Sequence, residues 1–191
     1  GSAWVIDAPL NTAGNVLAHL KAEGLQAQRV VLTHGHFDHI LDVQRYRAAG
    51  ISVAVSPKER PILEAPQTQM FGVPYPMPVF EPDEELTEGD RLELGGEAWE
   101  VWEVPGHSPG HVVLLNRSRS LLVGGDLLFQ GGYGRVDLPG ASPEAMVLSL
   151  LRILELPDET RVLPGHGPET TIGAERPWLE GMLSNPRGVR L

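Results

Sequence analysis

Apolar residues along this chain recur with two different periods, and the switches between them mark the elements. Ala3-Trp4-Val5-Ile6-Asp7 is a short apolar run closed by Pro9, which reads as a buried strand over 3–7. Val16, Leu17 and Leu20 then recur at helical spacing, predicting a helix over 13–23 that is capped by Asn11 or Thr12 and stopped by Gly24. Residues 29–33 form a second β-type run. A helix follows it, with Ile40, Leu41, Val43 and Tyr46 as its apolar side and Gly50 where a left-handed C-terminal cap belongs. A strand over 51–55 comes next, and this alternation of strand and helix predicts α/β layering.

The pattern changes after residue 56. Pro57, Pro61, Pro66, Pro74, Pro76, Pro78 and Pro82 leave no room for long regular elements, and 66–82 reads as a surface loop. From residue 90 the period is two, predicting strands over 91–94, 99–104, 112–116 and 121–123 between Gly, Pro or Ser turns. Ser142 followed by Pro143 is an N-cap with proline at the first helical position, and it opens a helix to about 156. A strand over 161–163 and a helix over 172–183 complete the pattern. Without an internal repeat or a composition break, residues 1–191 read as one domain.

Composition removes several classes of function. A formal net charge of −10 argues against nucleic acid and against an anionic membrane surface as partners, since both are met with basic patches. No apolar run approaches the ~20 residues of a membrane span, and no signal peptide is visible. Cysteine is absent, so there are no disulfides and any metal is held by nitrogen and oxygen; the chain fits a reducing cytoplasm. It opens on Gly1-Ser2 without a methionine, which reads as a tag remnant or a cut end.

The candidate chemistry lies in loops that follow strands. "LTHGHFDH", "VPGHSPGH" and "LPGHGPE" each come directly after an apolar run and hold His34, His36, Asp38, His39, His107 and His166; "LLVGGDLL" places Asp126 in the same setting. In layered α/β folds, ligand sites gather where strands end. In an extended segment residues i and i+2 face the same way, so His34 and His36 can grip one ion. If a helix begins at Asp38-His39, those two side chains swing toward a neighbouring ion. His107 then completes the first site, His166 the second, and the two oxygens of Asp126 span both, at the roughly 3.5–4 Å separation of two-metal hydrolytic sites. Two divalent cations set against Asp38, Asp126 and a hydroxide leave a charge of about +1, suited to an oxyanion. Chance placement of the first cluster is expected in only roughly four of ten thousand chains of this composition, so a bland origin is set aside. His19, mid-helix, reads as a surface residue, and His111, opening a strand, as a structural hydrogen-bonding group rather than a ligand.

"THGHFDH", "PGHSPGH", "GGD" and "PGHGPET", in this order over nearly the whole chain, resemble the metallo-β-lactamase superfamily. The resemblance implies an α/β fold, an αββα four-layer sandwich of two mixed β-sheets with helices on the outer faces. It also implies His34, His36 and His107 on one metal, Asp38, His39 and His166 on the other, and Asp126 shared. This chain departs from the family in lacking one or more strands before "AWVID", in reading Asp7-Ala8-Pro9 where Asp-Pro-Gly is usual, and in having no cysteine to match the β-lactamases that use one. Asp7 is still expected to support the metal loop.

"GGYGRVDLPG" and "GHGPETTIGAER" are similar to the single-domain glyoxalase II-like (hydroxyacylglutathione hydrolase-like) metallohydrolases. That similarity implies hydrolysis of a small-molecule acyl thioester such as S-lactoylglutathione. A hydroxide between two divalent ions, zinc first and iron or manganese as substitutes, attacks the carbonyl, with Asp38 and Asp126 as the catalytic carboxylates. It places Tyr133 and Arg135 beside the substrate, with packing for Tyr133 and a pair with Asp137 for Arg135 as equal readings. The helical extension by which two-domain glyoxalase II enzymes bind glutathione is not expected in a chain ending at Leu191, so the resemblance does not carry glutathione recognition with it. Two alternatives share the scaffold: a mononuclear iron persulfide dioxygenase using His34, His107 and Asp126, and a lactonase or other ester hydrolase.

Overall fold

Side-chain alternation along the strands decides how the layers stack. The structure, a computed structural model, describes residues 1–65 and 67–184. Its first sheet contains β1 (Ser2–Ile6), β2 (Gln26–Val31), β3 (Ser52–Val55) and β4 (Glu84–Glu85), adjacent in that order and parallel throughout. Only one of the two sheets is therefore mixed. The reason lies in the connections, each a crossover that returns the chain to the same end. Helix α1 (Ala13–Ala22) joins β1 to β2, and α2 (Phe37–Ile40) with α3 (Val43–Ala48) joins β2 to β3. A 3-10 turn (Pro57–Glu59), α4 (Arg60–Leu63), α5 (Gln67–Met70) and the proline-rich segment lead to β4.

The second sheet grows from an antiparallel meander, β5 (Arg91–Leu94), β6 (Glu97–Glu103), β7 (Val112–Asn116) and β8 (Leu121–Gly125). A small hairpin, β9 (Leu128–Phe129) with β10 (Gly132–Tyr133), and helix α6 (Pro143–Ile153) come next. Strand β11 (Arg161–Pro164) then pairs parallel to β8, β12 (Thr170–Thr171) pairs antiparallel to β11, and helix α7 (Ile172–Leu183) follows. The order across the sheet is β12-β11-β8-β7-β6-β5.

Val31, Ala54, Val101, Val112, Leu114 and Val123 meet between the two sheets. Their sequence neighbours point the other way: Val30, Val53 and Val55 pack under Leu20, Val43 and Tyr46 of α1 and α3. Trp102, Val113, Leu115 and Leu122 pack under Met146, Leu150, Ile153 and Leu179 of α6 and α7. The result is the αββα sandwich. Each fully buried aliphatic side chain contributes about 1.5–3 kcal/mol, so period-two strands with both faces apolar hold all four layers together.

Several elements differ from expectation. The single helix after the histidine cluster is two, broken at Leu41-Asp42. Asp42 is buried there, and its Oδ2 accepts the Ala13 N–H at 2.8 Å, so it supplies the α1 cap expected from Asn11 or Thr12. Thr12 donates its hydroxyl to Pro9 O instead. The second strand starts at Gln26 and ends at Val31, leaving Leu32 and Thr33 in the connection. The proline-rich stretch is irregular apart from α5, and Pro66 at its start lies outside the described residues. The cap of α6 forms as the sequence suggests, with Ser142 accepting the Ala145 N–H; α7 is capped as well, by Thr171, which accepts the Ala174 N–H. Strands β4, β9, β10 and β12, two residues each, are too short to leave a period.

Candidate metal centre

Four loops leave the C-terminal ends of β2, β6, β8 and β11 at one rim of the sandwich. Val112 N–H donates to Thr33 O across that rim, tying the sheets together next to the histidine cluster. His34, His36, His39, His107 and Asp126 are all buried, while Asp38 is half-buried and His166 is exposed.

Hydrogen bonding behind each ring sets which nitrogen is free. Thr33 Oγ1 lies 2.9 Å from Asp7 Oδ2, which can only accept, so the hydroxyl proton goes to Asp7. His34 Nδ1, 3.0 Å from the same hydroxyl, must then donate to it, and His34 Nε2 is left as a bare lone pair. That atom is buried without a hydrogen-bond partner among the described residues. His107 Nδ1 donates to Arg135 O at 2.8 Å, which likewise frees its Nε2. His36 Nδ1 lies 2.8 Å from His107 Nε2. Burial holds His34 and His107 below the ordinary histidine range and takes His36 down to about 4, with the neighbouring rings adding to the effect at His34 and His36. Three neutral imidazoles thus aim nitrogen at one point, their ligand atoms all within 4.8 Å of one another.

A second group forms beside the first. His39 Nδ1 lies 2.8 Å from Asp7 Oδ2, and its Nε2 faces His166 Nε2 at 3.2 Å, Asp126 Oδ1 at 3.5 Å and Asp38 Oδ2 at 3.8 Å. His166 Nε2 is 3.2 Å from Asp38 Oδ2. Burial alone would lower the His39 pKa, but the nearby carboxylates of Asp126 and Asp7 outweigh that and raise it to about 10. The protein holds a proton where negative groups converge, a place equally suited to a cation.

Asp126 sits between the groups. Its Oδ2 is 3.5 Å from His107 Nε2 and 3.6 Å from His166 Nε2, while Oδ1 is buried without a hydrogen-bond partner among the described residues. Burial would raise its carboxyl pKa, but the surrounding histidines hold it below the ordinary range. An orphaned carboxylate oxygen and an orphaned imidazole nitrogen in one buried cluster are costly unless something binds them. The donor set, nitrogen and carboxylate oxygen only, fits zinc, iron or manganese. All seven residues singled out from the loops therefore lie in one cluster, including Asp126 and His166, which are distant in sequence from the first four.

The supporting residues are just as specific. Asp7 takes a left-handed backbone conformation, φ 60°, and accepts the Thr33 N–H at 2.7 Å while holding His39. His111 is fully buried and accepts the Asp126 N–H on Nε2 at 2.9 Å, so it orients the Asp126 loop. His19 is exposed on α1. Gly165 lies where a Cβ would come within 2.3 Å of Asp126 Oδ1.

A cavity of about 430 Å³ opens onto the cluster, walled by Phe37, Phe71, Phe129, Tyr133 and Leu138. Tyr133 stacks on Trp178, with ring centroids 6.4 Å apart. The Arg135 guanidinium is held by Asp137 through two bonds of 2.7 Å, the structural pair foreseen as one of its two readings. A larger cavity of about 740 Å³ lies under the proline-rich segment and contains none of the histidines. Two residues of the site were not singled out from the sequence. Gln67 donates to Gly35 O and accepts the Phe37 N–H, and Glu59 binds the loops on both sides of the first group. Their local sequence, a proline-rich stretch and "PKER", reads as surface.

The model of the metallo-beta-lactamase superfamily matches residues 1–166. Among curated relatives, the hydroxyacylglutathione hydrolase GloC of Haemophilus influenzae is 34% identical, covering 92% of this chain and 84% of that protein. Among solved structures, the B3 metallo-beta-lactamase BLEG-1 is 37% identical with a TM-score of 0.84, covering 93% of this chain and 88% of that one. TTHA1623, crystallised in a di-iron-bound form, is 41% identical with a TM-score of 0.80, covering 90% and 85%.

Proposed function

The chain belongs to the metallo-beta-lactamase superfamily, and from that premise we propose that it is a metal-dependent hydrolase of acyl thioesters, with S-lactoylglutathione as the representative substrate. One observation supports this reading above the others: the Asp126 carboxylate lies within 3.6 Å of histidines from both groups, as a residue shared by two ions must. In the proposal His34, His36 and His107 hold one divalent ion, Asp38, His39 and His166 the other, and Asp126 both; zinc is the first expectation, with iron and manganese as substitutes. Such a pair supplies Lewis acidity, lowering the pKa of water and polarising a carbonyl.

The protein's own groups do the rest. Asp38 is half-buried and lines the cavity, placed to accept a hydrogen bond from the attacking water and aim it. Phe37, Phe71, Phe129 and Tyr133 enclose the acyl group and exclude bulk water, which strengthens every charge interaction at the centre. Arg135 and Tyr133 flank the mouth of the cavity; Arg135 can meet an anionic substrate only by leaving Asp137, an exposed pair whose loss costs little. A departing thiolate, with a thiol pKa of about 8.5, is a fair leaving group without a general acid. The relative named a hydroxyacylglutathione hydrolase supports the thioester class. The absence of cysteine fits a cytoplasmic thioester hydrolase.

The test is thiol release from S-lactoylglutathione by metal-loaded protein, with metal counted per chain. Turnover with two ions is expected. No release at micromolar enzyme overturns the thioester assignment; oxygen uptake with glutathione persulfide and a single iron would replace it with the dioxygenase reading, and ester cleavage alone with the lactonase reading.

A further inference from the structure

We propose that Glu59 is the positioning residue of the first metal group, a single buried carboxylate that sets the spacing of His34, His36 and His107 and leaves the second group alone. The inference rests on the two-group reading above. Glu59 ends the 3-10 turn after β3 and is fully buried. Its Oε2 accepts the Gly35 N–H at 2.7 Å, and Gly35 stands between His34 and His36. Its Oε1 accepts the Ser108 hydroxyl and the Gly110 N–H, both at 2.6 Å, and Ser108 follows His107. Each of the three histidines is thus a direct chain neighbour of a residue bonded to this carboxylate. None of Asp38, His39 and His166 is.

The surroundings are built around it. A Cβ on Gly35 would come within 3.0 Å of Glu59 Oε2 and of Leu63, and a Cβ on Gly110 would come within 2.8 Å of the Glu59 backbone nitrogen. Both positions need glycine for the carboxylate to reach two loops at once. Burial pushes the Glu59 pKa up, while Ser108 and the amides of Gly35 and Gly110 oppose it. No basic side chain pairs with the group among the described residues. Two of its three donors are amides, which cannot accept, so the acceptor-only carboxylate is the form that satisfies them. Asp7, by contrast, braces both groups: it holds His39 directly and, through the Thr33 hydroxyl, sets the free nitrogen of His34. Of these two buried acids, Glu59 therefore serves the first group alone and Asp7 serves both.

The test compares Glu59→Gln with Asp7→Asn in the full chain, reading metal by competitive chelator titration and elemental analysis, with circular dichroism as the fold control. Gln keeps the shape of Glu59 but turns an NH2 toward donors. Loss of such an outer partner lowers metal affinity by about 10–100-fold. In Glu59→Gln one ion is expected to leave at about 10–100-fold lower chelator while the other keeps its wild-type affinity, whereas in Asp7→Asn both ions are expected to weaken. Ser108→Ala, which removes one bond of three, should weaken the same ion by a smaller factor. Wild-type release of both ions by Glu59→Gln, or equal weakening of both, overturns the proposal. If Glu59→Gln does not fold, Ser108→Ala decides it alone by the same criterion. A chain that binds metal in this pattern yet leaves thioesters intact would sink the substrate assignment and keep the positioning role; a single-ion wild type would still test whether Glu59 braces that ion.

Discussion

A single methyl group can test the site at the scale of the residue. Gly165 precedes His166, and a Cβ there would stand 2.3 Å from Asp126 Oδ1 and 2.9 Å from His39 Cε1. Neither neighbour can yield easily, because the Asp126 amide is tied to His111 and His39 is tied to Asp7. Gly165→Ala is expected to displace the shared carboxylate, reduce bound metal below that of wild type and cut turnover by at least about 100-fold, while overpacking costs about 1–3 kcal/mol of stability. Elemental analysis and thiol-release rates check it, and full metal content with unchanged rate would remove Asp126 from the proposed centre. The proposed ligands were legible in the chain because each sits in a short Gly- or Pro-bearing loop after a strand. Glu59 was not, since a glutamate between lysine and arginine looks like a surface residue until the turn meets Gly35 and Ser108.

Elements in this fold are held by residues from other elements. Helix α1 is short, and its first amide is satisfied by Asp42 from the break between α2 and α3, 29 residues away. A capping side chain of this kind contributes about 0.5–2 kcal/mol. Asp42→Ala is expected to lower the thermal midpoint by roughly 1–8 °C, given 2–4 °C per kcal/mol for a chain of this size. Metal content should stay at the wild-type level, because Asp42 contacts no proposed ligand side chain. A calorimetric scan beside metal analysis separates the two effects, and an unshifted midpoint would mean that water caps α1 equally well. Similar long-range ties hold the wall of the cavity. Glu175 on α7 accepts the Gly131 N–H and so fixes the β9–β10 hairpin that carries Phe129 and Tyr133. Long apolar strands and the Ser142-Pro143 cap were readable from local pattern. The two-residue strands and the broken helix were not, since distant partners decide them.

For the whole molecule, the proposed metals and the protons of the site compete. His39 in the metal-free protein has its pKa raised from 6.5 to about 10, burial opposing the shift and the nearby Asp126 and Asp7 carboxylates outweighing it. A raised folded-state pKa means that this group's contribution to stability is complete below about 6.5 and is lost as pH climbs toward about 10. A metal on His39 would take the place of that proton and remove the dependence. The thermal midpoint of chelator-treated protein is therefore expected to fall over this range, with that of loaded protein holding steadier and the gap between them widening. Parallel curves would show that His39 carries no exchangeable proton at the site. No helix among the described residues is long and apolar enough to cross a membrane.

Local order in the chain was sufficient for the layers and for the roster of candidate ligands. Period-two strands with two apolar faces, as in Val112–Asn116, can be buried only between other layers, and histidines placed after strand ends collect at one rim whatever the details. Tertiary contact alone decided the distances between the groups, the ring nitrogens left free by Thr33 and Arg135, and the roles of Asp42, Glu59 and Glu175. The physical reason is range. Periodicity and capping act over a few residues and are written in adjacent positions. A buried carboxylate finds its donors only after folding has removed water and brought distant loops within 3 Å.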